Sequence, residues 1–243
     1  MRPEQSGTIL WLTGWSMSDR VFDRLRDLLP DFNHVSLDYS SAVSSEEILH
    51  LTETAAKNIL SSHSGPLLIG GWSLGGLLAL RLAAQELADG LVLLSATARF
   101  TRPKEQTDRG WADAYVRQMI TGIRKDRQAI VNKFSQTVFM ESKSEMDHRE
   151  ILPLIGHWTT SALIAGLEIL RGVECLSRLP EITCPVLLVH GAEDKICPYA
   201  AAEELLSQLP RAKLLTIPGS GHAPFLGRET HLAESLRSWW HDQ

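Results

Sequence analysis

The chain of 243 residues contains no run of about 18 uninterrupted apolar residues, so a membrane-spanning helix is not expected. Cysteine is scarce. Cys175, Cys184 and Cys197 form neither a paired disulfide framework nor a metal-ligand cluster, and reduced thiols in a cytoplasmic protein are expected. Low-complexity tracts and internal repeats are missing, and apolar runs recur along the whole length, which excludes extensive disorder. There is no excess of positive charge: 24 Lys+Arg stand against 29 Asp+Glu, for a net charge of −5. The resulting pI near 6.0 argues against nucleic acid as a partner. Met1 to Thr8 hold one Arg among mostly polar residues and no apolar signal segment, so no secretion leader is expected.

What is present has the composition of an ordinary globular protein, 44% hydrophobic and 22% charged. The length suits one large α/β domain, with or without an inserted subdomain. Short apolar runs alternate with longer amphipathic stretches, the βαβ pattern of a parallel sheet. Candidate strands are Thr8–Leu12, His34–Leu37, Pro66–Gly70, Gly90–Ser95, Pro185–His190 and Ala212–Ile217. Candidate helices between them are Asp19–Leu29, Ser45–Leu60, Leu74–Glu86, Tyr199–Leu209 and His231–Trp240, with Ser44 or Ser45 as an N-cap. The alternation breaks between about Arg99 and Gly172, where no strand is evident but Trp111–Ile123 and Ala162–Leu170 read as helices. Seventy residues are too many for a plain loop. The expected architecture is therefore α/β: a mostly parallel, doubly wound sheet of about six strands from residues 1–98 and 173–243. A helical cap, residues 99–172, is inserted between strands over the sheet's C-terminal edge.

The sharpest local feature is Gly70-Gly71-Trp72-Ser73-Leu74-Gly75-Gly76, directly after one candidate strand and directly before a helix. It contains G-x-S-x-G, a pattern that means little alone and much at a strand–helix junction. The sharp turn needs glycine on both sides, and it lifts the serine hydroxyl above the sheet edge. A serine hydroxyl is a weak nucleophile near pH 7 and needs a base, which needs an orienting acid. In chain order these should follow as acid, then histidine, each after a late strand. Asp194 follows Pro185–His190, with Glu193 as its rival, and His222 follows Ala212–Ile217. Ser73, Asp194 and His222 are thus the candidate triad. The tetrahedral intermediate of acyl transfer needs two N–H donors. The backbone N–H of Leu74 is one, and that of Trp15, in the loop after the first strand, is the other.

On these residues the chain resembles the α/β-hydrolase superfamily over essentially its whole length. Within it, Gly14-Trp15, Gly71-Trp72-Ser73-Leu74-Gly75-Gly76, Gly166-Leu167-Glu168-Ile169-Leu170 and Gly221-His222-Ala223-Pro224-Phe225 are similar to the pimeloyl-acyl-carrier-protein methyl ester esterases of biotin synthesis. That resemblance implies a methyl ester at the far end of an acyl chain borne by acyl carrier protein. It implies Phe134 as an aromatic contact for that chain, and Arg124, Arg127 and Lys133 near the positions that dock the carrier. It further implies a cytoplasmic, monomeric enzyme without metal or cofactor, nucleic acid or membrane partner. Two positions depart from the family pattern: Thr13 stands where histidine usually precedes the oxyanion-loop glycine, and Asp38-Tyr39-Ser40-Ser41 replaces a glycine-rich loop.

Charge points the same way. Arg99 to Lys133 holds nine basic and four acidic residues, a local +5 on a chain of −5. A basic cap would steer an acidic partner, although the same residues also fit a solvated helix face. The alternatives are a thioesterase or general short-chain carboxylesterase with the same triad and, from another class, a ligand-binding module that has lost turnover.

Overall fold

Continuous Leu/Ile/Val runs have no polar face to show water, so they form strands buried on both sides. The computed structural model describes residues 7–62, 65–140 and 148–243. Its strands are β1 (Thr8–Leu12), β2 (Asn33–Ser36), β3 (Leu67–Trp72), β4 (Gly90–Leu94), β5 (Val186–Gly191) and β6 (Ala212–Ile217). They form one all-parallel sheet in the order β2-β1-β3-β4-β5-β6. Strands β1, β3, β4 and β5 are buried throughout, whereas the edge strands β2 and β6 are only half-buried. The strand order reverses between β1 and β3. At such a switch point the loops leaving adjacent strands diverge and open a crevice beyond their carboxyl ends.

The flanking helices are α1 (Asp23–Leu28), α2 (Ser45–Ser61), α3 (Leu74–Ala83), α4 (Asp113–Lys125), α5 (Arg127–Met140), α6 (His148–Ile151), α7 (Thr160–Gly172), α8 (Tyr199–Gln208) and α9 (Glu229–His241). Helix α1 packs on α9, α2 on α3, and α8 along β5 and β6. Ser44 is the N-cap of α2, its hydroxyl accepting the Glu47 N–H at 3.2 Å.

Several boundaries differ from the sequence expectation. The stretch Asp19–Leu29 is a 3₁₀ turn, Asp19–Phe22, followed by α1. Helix α3 stops at Ala83 rather than Glu86: Glu86 takes a left-handed φ of 61° and the Leu87 N–H reaches back to the Leu82 carbonyl at 3.1 Å. That 6→1 closure ends a helix. Strand β3 runs two residues beyond Gly70, to the residue before Ser73. Helix α5 was not anticipated, because a polar residue, Ser135, is buried among Val131, Val138 and Phe139 and breaks the apolar pattern of its inner face.

Between β4 and β5, residues 99–172 carry α4 to α7 and, among the described residues, no strand. They are fastened to the loops after β1 and β2. The Trp15 indole donates to the Leu163 carbonyl at 2.7 Å, the Trp158 indole to Met17 at 3.0 Å, and the Thr159 amide to Ser40 at 2.8 Å. Among the described residues no helix is long and apolar enough to cross a membrane.

Candidate active site

Ser73 lies between β3 and α3, at φ 55° and ψ −113°, a conformation that costs a non-glycine residue about 1–3 kcal/mol. The flanking glycines make the turn possible. A Cβ on Gly71 would lie 2.4 Å from the Gly75 carbonyl oxygen, and one on Gly75 would lie 2.0 Å from the Leu12 carbonyl oxygen. The Ser73 side chain makes no capping bond to α3, so its hydroxyl is not consumed by the helix. The first N–H groups of a helix have no intrahelical partner, and Leu74 supplies the one next to Ser73.

The loops after β5 and β6 hold Asp194 and His222, the candidate acid and base. The Glu193 amide donates to the Ser220 carbonyl at 2.9 Å, tying one loop to the other. The His222 Nδ1–H donates to Asp194 at 2.8 Å (Oδ2) and 3.1 Å (Oδ1), while the amides of Ile196 and Cys197 donate to Oδ1 at 2.8 and 2.9 Å. Asp194 and His222 are both buried. Burial works to raise the Asp194 pKa, but His222, His190 and the Cys197 amide outweigh it and hold the carboxyl below its ordinary value. With Nδ1 donating to the carboxylate, Nε2 is the basic nitrogen of His222. That nitrogen is buried and has no hydrogen-bond partner among the described residues, so the link to Ser73 is open here. Such bonds often tighten only in the substrate complex. Glu193, the rival acid, is exposed and does not meet His222.

Trp72 connects the two halves. Its indole donates to the His222 carbonyl at 2.8 Å, its ring lies 5.8 Å from the imidazole, and its backbone leads directly into Ser73. At the switch point, a Cβ on Gly14 would lie 3.5 Å from the Ser73 Cβ. The Thr13-Gly14-Trp15 loop therefore faces the serine. On α7, Gly166 leaves room for Trp15 and Leu74 side by side: a Cβ there would meet Trp15 at 2.7 Å and Leu74 at 3.3 Å. The half-buried Phe134 of α5 presents its ring to Trp15 edge-on at 4.9 Å.

This strand–turn–helix serine with an acid–histidine pair on the last two strand loops agrees with the sequence comparison. Residues 9–233 match the model of the alpha/beta hydrolase family. The chain belongs to that family. A pimeloyl-[acyl-carrier protein] methyl ester esterase of Nitrosomonas europaea is 31% identical over 90% of this chain and 89% of its own length. One from Xanthomonas oryzae pv. oryzae is 30% identical over 94% of this chain and 93% of its own. Among solved structures, an esterase from Exiguobacterium antarcticum superposes with a TM-score of 0.84 at 20% identity, covering 98% of this chain and 92% of its own. That last likeness concerns the fold.

In this alpha/beta hydrolase the basic residues of the β4–β5 segment divide into two sets. Arg102 and Arg109 both pair with the buried Glu204 of α8, and Arg117 and Arg171 share Asp113. Arg102 and Arg109 tie the segment to α8 and Arg171 ties α7 to α4, whereas the Arg117 pair lies within α4. Arg124, Arg127 and Lys133 are exposed, and among the described residues only the Arg127 side chain of the three has a fixed bond, to the Trp158 carbonyl at 3.2 Å. Lys133 and Phe134 line a groove of about 290 Å³ between α4 and α5, with Trp111, Tyr115, Met119 and Ile130.

Sequence reasoning did not single out His190, Trp72 or Tyr39. His190 Nε2–H donates to the Cys197 carbonyl at 2.7 Å and lies 3.5 Å from Asp194 Oδ2. Burial lowers its pKa, so it sits neutral beside the carboxylate. The available signal was a histidine closing an otherwise apolar strand, Val186-Leu187-Leu188-Val189-His190.

Proposed function

We propose that this chain, a carboxylic ester hydrolase of the alpha/beta hydrolase family, is a serine esterase acting on the methyl ester of an acyl chain carried by acyl carrier protein. The pimeloyl ester of biotin synthesis, in the cytoplasm, is the substrate the relatives' names favour. The observation that carries the reading is His222, pinned at Nδ1 by a buried carboxylate and left with an unpartnered basic nitrogen in the loop that Trp72 ties to the Ser73 turn.

In this reading Ser73 Oγ attacks the ester carbonyl and His222 Nε2 takes its proton. The amides of Trp15 and Leu74 hold the oxyanion of the tetrahedral intermediate. Its collapse breaks the bond to the methoxy group, which leaves as methanol with the proton from His222. A water molecule, deprotonated by His222, then attacks the acyl-enzyme and releases the free carboxylate and Ser73. Asp194 stays ionised throughout and keeps His222 oriented. No step calls on a metal or an organic cofactor.

Residues 99–172 act as the cap in this proposal. Phe134 meets the acyl chain where the α4–α5 groove approaches Trp15, and Arg124, Arg127 and Lys133 present positive charge to an acidic carrier.

The test compares hydrolysis of carrier-bound methyl esters, free methyl esters and carrier-bound thioesters, with fluorophosphonate labelling alongside. The expected result is labelling that requires Ser73 and the highest kcat/KM on the carrier-bound methyl ester. Faster cleavage of thioesters, or no carrier preference, would replace this substrate with the thioesterase or short-chain esterase reading. Absence of both labelling and turnover would leave the ligand-binding module.

A further inference from the structure

The two positions that depart from the family pattern are in contact. The Tyr39 hydroxyl, in the loop after β2, donates to the Thr13 carbonyl, and both residues are buried. The Thr13 hydroxyl in turn lies 2.9 Å from the Gly14 carbonyl and 3.1 Å from that of Met17. The Met17 amide closes on the same Gly14 carbonyl at 3.2 Å. Three of these four contacts land on the two peptide units that flank Gly14; the fourth, to the Met17 carbonyl, ties the Thr13 hydroxyl to the far side of the turn.

A trans peptide is planar, with its N–H pointing opposite to its C=O. Holding the Gly14 carbonyl therefore sets the direction of the Trp15 N–H, which belongs to the same peptide unit. Holding the Thr13 carbonyl fixes the preceding unit, so the pair of peptides cannot swivel about the Gly14 Cα. Gly14 needs that restraint, since it lacks a Cβ to limit its dihedrals. The Trp15 side chain is anchored separately, by its indole bond to Leu163 and by Phe134. From these contacts we infer that Thr13 and Tyr39 are positioning residues for the oxyanion site, aiming the Trp15 N–H through the two peptide units around Gly14.

Burial drives the Tyr39 phenol pKa far up, so it remains a proton donor at all working pH values. Neither hydroxyl needs to touch the substrate. A donor that must meet a developing charge loses effectiveness when it is misaimed, and a shift of 1 Å costs up to about 100-fold. The inference rests on the proposed reading of Ser73 as nucleophile and Trp15 as oxyanion donor.

The experiment uses Thr13→Val, which keeps shape and removes the hydroxyl, with Thr13→Ser, Tyr39→Phe and Ser73→Ala. For each, kcat and KM are measured on a free methyl ester, together with the inhibition constant of a trifluoromethyl ketone that forms the tetrahedral adduct on serine. Thr13→Val and Tyr39→Phe should lower kcat by about tenfold with KM within about twofold, and weaken the ketone by the same factor as kcat. Thr13→Ser should recover most of the lost rate. Wild-type kcat in Thr13→Val or Tyr39→Phe, a loss confined to KM, or a loss that Thr13→Ser does not restore would each overturn the inference. If Thr13→Val does not fold, Tyr39→Phe carries the test alone. An active Ser73→Ala would instead remove the underlying reading, whereas an inactive Ser73→Ala beside a fully active Thr13→Val would remove only the positioning role.

Discussion

The loops that end β5 and β6 hold charge differently from the helices strung between β4 and β5. In the loops, the Asp194 carboxylate is wholly enclosed and accepts hydrogen bonds from His222 and from two backbone amides. On the helices, Arg124 and Lys133 stand in solvent without ion-pair partners among the described residues. A buried charge acts at contact distance in a low local dielectric, so an error of one atom is severe. An exposed charge acts through a field that salt screens within about 10 Å at 0.1 M. The first arrangement suits bond-making, and the second suits steering a partner.

The largest test of this contrast is the nucleophile. Ser73→Ala should leave the fold intact and reduce ester hydrolysis by about 10⁴-fold or more, measured as kcat on a free methyl ester. Near-normal turnover would take Ser73 out of the chemistry.

Next comes the acid. Asp194→Asn should cost on the order of 10⁴ in kcat by leaving His222 in the wrong tautomer. Glu193→Gln, on an exposed side chain one residue away, should cost almost nothing. An exchange of behaviour between the two variants would transfer the role to Glu193.

A smaller effect should follow from the helices. Reversing Arg124 and Lys133 to Glu should lower kcat/KM for carrier-bound substrates by roughly tenfold at low salt, through association rate, and leave free esters untouched. The wild-type rate on carrier substrates should itself fall as ionic strength rises. Arg127 is better tested separately, because its bond to Trp158 also braces the segment. Equal loss on both substrate types would mean that these residues hold the helices together.

The smallest effect concerns pH. His190 is held neutral by burial, with its pKa below the unfolded value of about 6.5. The unfolded chain therefore binds that proton more readily. The stability this gives is full above about pH 6.5 and is lost as pH falls toward the folded pKa. Asp194 acts in the same direction only at lower pH, since its depressed pKa contributes stability above about 3.9. The melting temperature should drop by a few degrees between pH 7.5 and 5.5, and His190→Gln should flatten that slope. The half-buried His34, also lowered by burial, remains in both proteins and leaves a residual slope. An unchanged slope in His190→Gln would exclude His190 as a source.

The sheet was legible because its inner strands are continuous apolar runs between glycine and proline, and their ends locate the loops where Ser73, Asp194 and His222 lie. Helix ends were less legible. Helix α3 closes at Glu86 in the left-handed conformation that glycine ordinarily supplies, so the usual stop signal is missing from the sequence. Helix α5 escaped because Ser135 lies on its buried face, and a periodicity search expects apolar residues there.

Residue identity and chain order alone determined the parallel α/β fold, the glycine-flanked serine turn and the candidates for acid and base, since each depends on local sterics or on short-range patterning. Tertiary structure decided the rest. It buried Asp194 against His222 and left Glu193 exposed, placed neutral His190 against the carboxylate, and engaged four arginines of the β4–β5 segment in ion pairs with Glu204 and Asp113. It also joined Tyr39 to Thr13 across 26 residues. These outcomes depend on which groups packing brings within about 3 Å of each other in a low dielectric, and separation along the chain carries no information about that.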